Sequence, residues 1–143
     1  MQVPGQNITR PLERFCAILA VAVCLILTFA IWKRVSAYQA MWPLPGLYFI
    51  EMAGVSTFGA FSFVRGWPTG TVITWGAAGA FSAFSILGAW SVGFFYLPIA
   101  LLFTAISVTS DVRNRRNLLP RLGVFLFTGL LQADLMITVV HLS

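Results

Sequence analysis

Charge is what this sequence has least of. Nine basic and four acidic side chains make up 9% of its 143 residues, against about 25% in a soluble globular domain. Histidine occurs once and cysteine twice. So little charge excludes a water-soluble enzyme, a disordered tail and a nucleic-acid-binding domain. One histidine, His141, excludes a bis-histidine haem or a histidine-rich metal centre built from a single copy of the chain. Cys16 and Cys24 fall on one predicted helix, separated by about 12 Å of rise, whereas a disulfide needs Cα atoms within about 7 Å. They read as small buried hydrophobes. The chain has no CxxC, no HExxH, no phosphate-binding glycine loop and no nucleophile elbow. The expectation is therefore a non-enzyme with no cofactor of its own, no nucleic-acid partner and no soluble substrate. Lipids, or pigments shared with partner subunits, are the only prosthetic groups it leaves room for.

What the chain does have is apolar length. It is 59% hydrophobic, with a mean hydropathy of +0.88. A membrane span needs about 20 mostly apolar residues. Phe15 to Trp32 and Leu44 to Val64 each meet that need. Thr71 to Val108 carries no charge at all; as one helix it would reach about 57 Å, nearly twice a hydrocarbon core of about 30 Å. It must be two spans, with the break at Leu87-Gly88-Ala89-Trp90-Ser91-Val92-Gly93. Leu122 to Leu142 completes the set. The expected fold is an all-α integral membrane protein: one domain over 1–143, a compact bundle of five transmembrane helices with short loops, spanning about 15–32, 44–64, 70–87, 92–109 and 122–142.

The basic residues orient it. With five spans, Arg10, Arg14, Arg65, Arg113, Arg115, Arg116 and Arg121 share one side, and Lys33 and Arg34 take the other. Seven against two places the N-terminus in the cytoplasm and the C-terminus outside. A four-span arrangement reverses the bias and needs the 57 Å helix. Trp32, Trp42, Trp67 and Trp90 fall at or just beyond the span ends, as an interfacial belt does. Pro43 and Pro45 stop helix formation before the second span, and Pro68 suits the first turn of the third. Pro98 bends the fourth span unless that helix begins late. The first apolar run is too long for a signal peptide and is followed by Lys33-Arg34, so it reads as an uncleaved anchor. The sequon Asn7-Ile8-Thr9 lies on the cytoplasmic side and is discounted. Eight arginines to one lysine point to a GC-rich bacterial genome, hence to a cell inner membrane.

Two acids are out of place. Glu51 and Asp134 lie within spans, about 10 and 12 Å below the same outer boundary. A charged carboxylate at a helix centre costs about 2.5–3.5 kcal/mol, which makes such residues functional candidates. At 100° per residue, Thr138 and His141 share a stripe with Asp134. Both acidic faces are expected to point into the bundle or at a partner, hydrogen-bonded rather than free. Gln132, with Thr128, reads as glue between helices.

Small residues recur at four-residue spacing in the third span, as Gly76/Ala80 and Gly79/Ala83, which lets backbones approach closely. Phe81 and Phe84 point away from that face, toward lipid, pigment or another helix. The loop carrying Arg113, Arg115, Arg116 and, further on, Arg121 reads first as a topology determinant and second as a contact for anionic lipids or an acidic partner. The expected function is a small accessory or scaffolding subunit of a larger, multi-subunit membrane complex, with energy-transducing assemblies among the hosts. The alternative is a homo-oligomeric transporter or channel moving protons or cations through Glu51 and Asp134.

Overall fold

The computed structural model describes residues 6–38, 46–89 and 92–142, with the side chains of 6–9 and 142 excepted. Trp42, Pro43, Pro45, Trp90 and Ser91, and the side chains of the sequon at Asn7, therefore lie outside the described residues. Five α-helices follow one another: α1 (Gln6–Ser36), α2 (Gly46–Val64), α3 (Gly70–Leu87), α4 (Leu97–Arg113) and α5 (Leu118–Leu142). A single 3₁₀ turn, Gly93–Tyr96, leads into α4. Among the described residues there is no strand, and each of the five helical segments is long and apolar enough to cross a membrane.

Local chemistry sets the helix ends. Pro98 sits in the first turn of α4, where the missing N–H would have had no intrahelical partner. That helix begins late and Pro98 does not bend it. Pro68 lies in the turn before α3 rather than in its first turn. α2 ends in a Schellman motif: Gly66 at φ 72°, its N–H bonded to the Phe63 carbonyl and that of Trp67 to the Ser62 carbonyl. α4 ends the same way, with the N–H groups of Arg115 and Arg116 bonded to the carbonyls of Val112 and Asp111. There the left-handed position is filled by Arg115 at φ 51°, where glycine is usual.

The helices alternate in direction. One end of the bundle holds the start of α1 and the turns 65–69 and 114–117, and with them Arg10, Arg14, Arg65, Arg113, Arg115, Arg116 and Arg121. We call it the basic end. The other end holds Lys33 and Arg34.

α3 is the central helix. It packs against α2, α4 and α5, and 61% of its most apolar stretch is buried, against 17% for α1 and 6% for α5. Its small residues explain the position. A side-chain carbon added at Gly79 would fall 2.5 Å from Thr128 Oγ1 and closer still to the Phe125 carbonyl oxygen. Only a hydrogen fits between these two backbones, so α5 crosses α3 in direct contact. Gly76 adjoins the Thr128 methyl group in the same crossing. Ala80 is buried and Ala83 half-buried. The opposite side of α3 carries the aromatic core. Phe81 stacks between Tyr96 and Phe103, and Phe84 meets Tyr96 edge-on. Both phenylalanines thus pack on other helices. The Tyr96 hydroxyl is 2.8 Å from that of Thr28 on α1, so the polar tip of this buried ring is satisfied.

Candidate functional site

The polar groups of the bundle gather at two levels. Toward the end opposite the basic one, α2 reaches past α3 to α5 by two side-chain bonds. The Tyr48 hydroxyl donates to the Met136 carbonyl at 3.2 Å. Gln132, buried on α5, donates from Nε2 to Glu51 Oε2 at 3.2 Å. Glu51 is half-buried and therefore faces the bundle.

Asp134 does not. It is exposed, as are Thr138 and His141. The expectation that both acidic faces point into the bundle or at a partner is corrected for the inward option at Asp134. Residues 132 and 134 are about 200° apart around a helix, so a helix that turns Gln132 inward turns Asp134 out. Around it lies an apolar surface of Leu130, Leu131, Ile137 and Val140, each more than half exposed. His141 donates through Nδ1–H to the Ile137 carbonyl at 2.9 Å. Glu51 and Asp134 therefore share no pocket. Cys16 and Cys24 are both free thiols, as their spacing requires.

The second level is at the basic end, and the sequence pattern gave it little weight. Asp111 belongs by sequence to the charged loop, yet it is fully buried. The indole Nε1–H of Trp75 donates to Asp111 Oδ2 at 2.8 Å, and the Arg121 guanidinium lies 3.6 Å from the same oxygen. Arg121 thus has a counter-charge inside the protein, with a fifth of its side chain still exposed. Next to it, Ser107 on α4 donates to Thr74 on α3 at 2.8 Å. Glu13, also buried, is ion-paired with Arg113 and ties the first turns of α1 to the end of α4. One signal for this cluster was present in the sequence: Trp75 is the single tryptophan that falls inside a span rather than at its edge.

Beside the Glu13–Arg113 pair a cavity of about 290 Å³ opens at the basic end. Arg10 and Arg14 of α1, Arg113 of α4 and Arg116 of the following turn line it, with Glu13 as the one acid. Thr71 and Ser110 add hydroxyl groups, and Phe63 and Trp67 form an apolar flank. The Schellman ends of α2 and α4 bring this about, because each reverses the chain beside the cavity and delivers Trp67 and Arg116 to its wall. Arg115 does not line it. Of the four arginines grouped by sequence, Arg113 and Arg116 meet here, while Arg115 and Arg121 go elsewhere.

No known protein family, curated protein or solved structure matches this chain. Among the described residues no three His, Cys, Asp or Glu side chains cluster as metal ligands would.

Proposed function

We propose that this chain is a multi-pass protein of a cell inner membrane, N-terminus in the cytoplasm, and a small non-catalytic accessory subunit of a larger membrane complex. The observation that carries the reading is the exposed carboxylate of Asp134 on the apolar outer face of α5. About 12 Å of helix separates it from the end of α5, too far for so short a side chain to reach water. Facing lipid, the charged group costs about 2.5–3.5 kcal/mol. A neighbouring transmembrane helix that presents a hydrogen-bond donor or a basic side chain at that level removes the cost. Thr138 and His141 continue the polar stripe, and Leu130, Leu131 and Ile137 supply apolar contact on either side. A channel or transporter using Glu51 and Asp134 together has less support, because Gln132 holds one Glu51 oxygen on one face of α5 while Asp134 lies on the other.

Extraction from the native membrane in mild detergent, followed by mass determination, tests the proposal. The expected result is a particle far larger than the 15.7 kDa chain, containing other polypeptides. Asp134→Leu frees the chain from that particle without changing its own melting temperature. Recovery of the chain alone, or only as a symmetric homo-oligomer, overturns the reading.

A further inference from the structure

We propose that the cavity at the basic end is a binding site for a phosphate-bearing anion, a phospholipid headgroup or a free phosphate. Four arginines line it against one glutamate, and that glutamate is already ion-paired with Arg113. The walls therefore carry an excess of three positive charges. Asp111, the other acid at this end, is turned to Trp75 and Arg121 and does not line the cavity. Guanidinium groups match phosphate oxygens two at a time, which suits a phosphate better than a simple halide. The N-terminus of α3 adds to the field: Gly70 and Thr71 line the cavity, and the N-cap residue Thr69 makes no side-chain cap hydrogen bond, although the Gly70 N–H is taken by the Trp67 carbonyl. At about 290 Å³ the space exceeds a bare phosphate and admits a glycerophosphate. The Phe63 and Trp67 flank is suited to the start of an acyl chain.

Topology alone does not account for this convergence. Orientation in a membrane asks only that arginines lie on one side, and Arg65 and Arg115 satisfy it without lining the cavity. Arg10, Arg14 and Arg116 are exposed at its rim, free of any part in the buried ion pairs described above, so their replacement leaves the fold intact.

The test uses the full chain in a neutral detergent, with two probes followed by calorimetry: inorganic phosphate, and short-chain phosphatidic acid dispersed in the same detergent, with phosphatidylcholine as the lipid control. The variants are Arg10→Gln, Arg14→Gln and Arg116→Gln, singly and combined, and, as control, Arg115→Gln. Saturable one-to-one binding is expected, weakened about fivefold for each cavity arginine removed and less than about twofold by Arg115→Gln. Binding of phosphatidic acid alone assigns the site to a lipid headgroup, and binding of inorganic phosphate assigns it to a free anion. Saturable binding of neither probe overturns the proposal. So does an Arg115→Gln variant as weak as the loss of one cavity arginine, since the attraction would then be a general field of the basic end.

Discussion

Trp75 on α3 and Asp111 on α4 are joined by a 2.8 Å hydrogen bond from the indole Nε1–H to Oδ2, at a position where Asp111 is wholly buried. Arg121 of α5 approaches the same oxygen at 3.6 Å. One carboxylate thus joins three helices at the basic end. Removing it leaves a buried indole N–H without its acceptor and Arg121 without its counter-charge. Asp111→Ala is expected to destabilise the chain by about 3–5 kcal/mol, as loss of one partner of a buried pair does. Trp75→Phe, which removes only the donor and some packing, should cost about 1–3 kcal/mol. Unfolding in mixed detergent, followed by tryptophan fluorescence for Asp111→Ala and by circular dichroism for Trp75→Phe, checks both.

The Glu13–Arg113 pair holds the early turns of α1 against the end of α4. Glu13→Ala should loosen α1 locally, with a loss of about 3 kcal/mol for a buried charge left uncompensated. Hydrogen exchange should rise in the first turns of α1 and stay unchanged in α3.

Gly79 tests the central crossing. Gly79→Ala places a methyl group against Phe125 and Thr128, and forcing the backbones apart should cost about 1–3 kcal/mol. Gly54, with nothing within 4 Å of an added carbon, gives the contrast: Gly54→Ala should be neutral or stabilise by up to about 1 kcal/mol through helix propensity. Thermal melting of the two variants side by side decides it.

The bond from Gln132 to Glu51 should be modest. Intramembrane hydrogen bonds average about 0.6 kcal/mol with a maximum near about 1.7, so Gln132→Leu is expected to fall in that range. Glu51→Gln keeps a partner for Gln132 and should cost less. A double-mutant cycle on unfolding measures the coupling directly.

Arg115 stands where a left-handed residue is needed at the end of α4. Arg115→Gly should stabilise the chain by about 1 kcal/mol, since a side chain in that conformation costs about 1–2 kcal/mol and glycine's greater freedom when unfolded takes part of it back. A small rise in melting temperature is the readout.

The number of helices was legible in the sequence because hydrocarbon thickness and helical rise leave no other division of the uncharged run 71–108. The small-residue spacing around Gly76 and Gly79 likewise marked a close-packing face on α3, since only a missing side chain permits such an approach. Helical angles alone placed Asp134, Thr138 and His141 on one stripe and Gln132 nearly opposite. Which of those two faces is covered depends on where α5 lies against α3, and no local pattern carries that. The same holds for the basic end. Scarcity of charge put Glu13 and Asp111 near helix ends, but their burial comes from partners 100 and 36 residues away in sequence, Arg113 and Trp75. The grouping of Arg10 and Arg14 with Arg116 is a tertiary result too, produced where α4 and the turn after it meet the first turns of α1. Hydropathy and helical rise are local properties, and they suffice to divide the chain into five apolar helices with most of its arginines gathered at one end. The tertiary structure decided which charges are buried, which face outward and which converge on a cavity, because those depend on contacts between helices far apart along the chain.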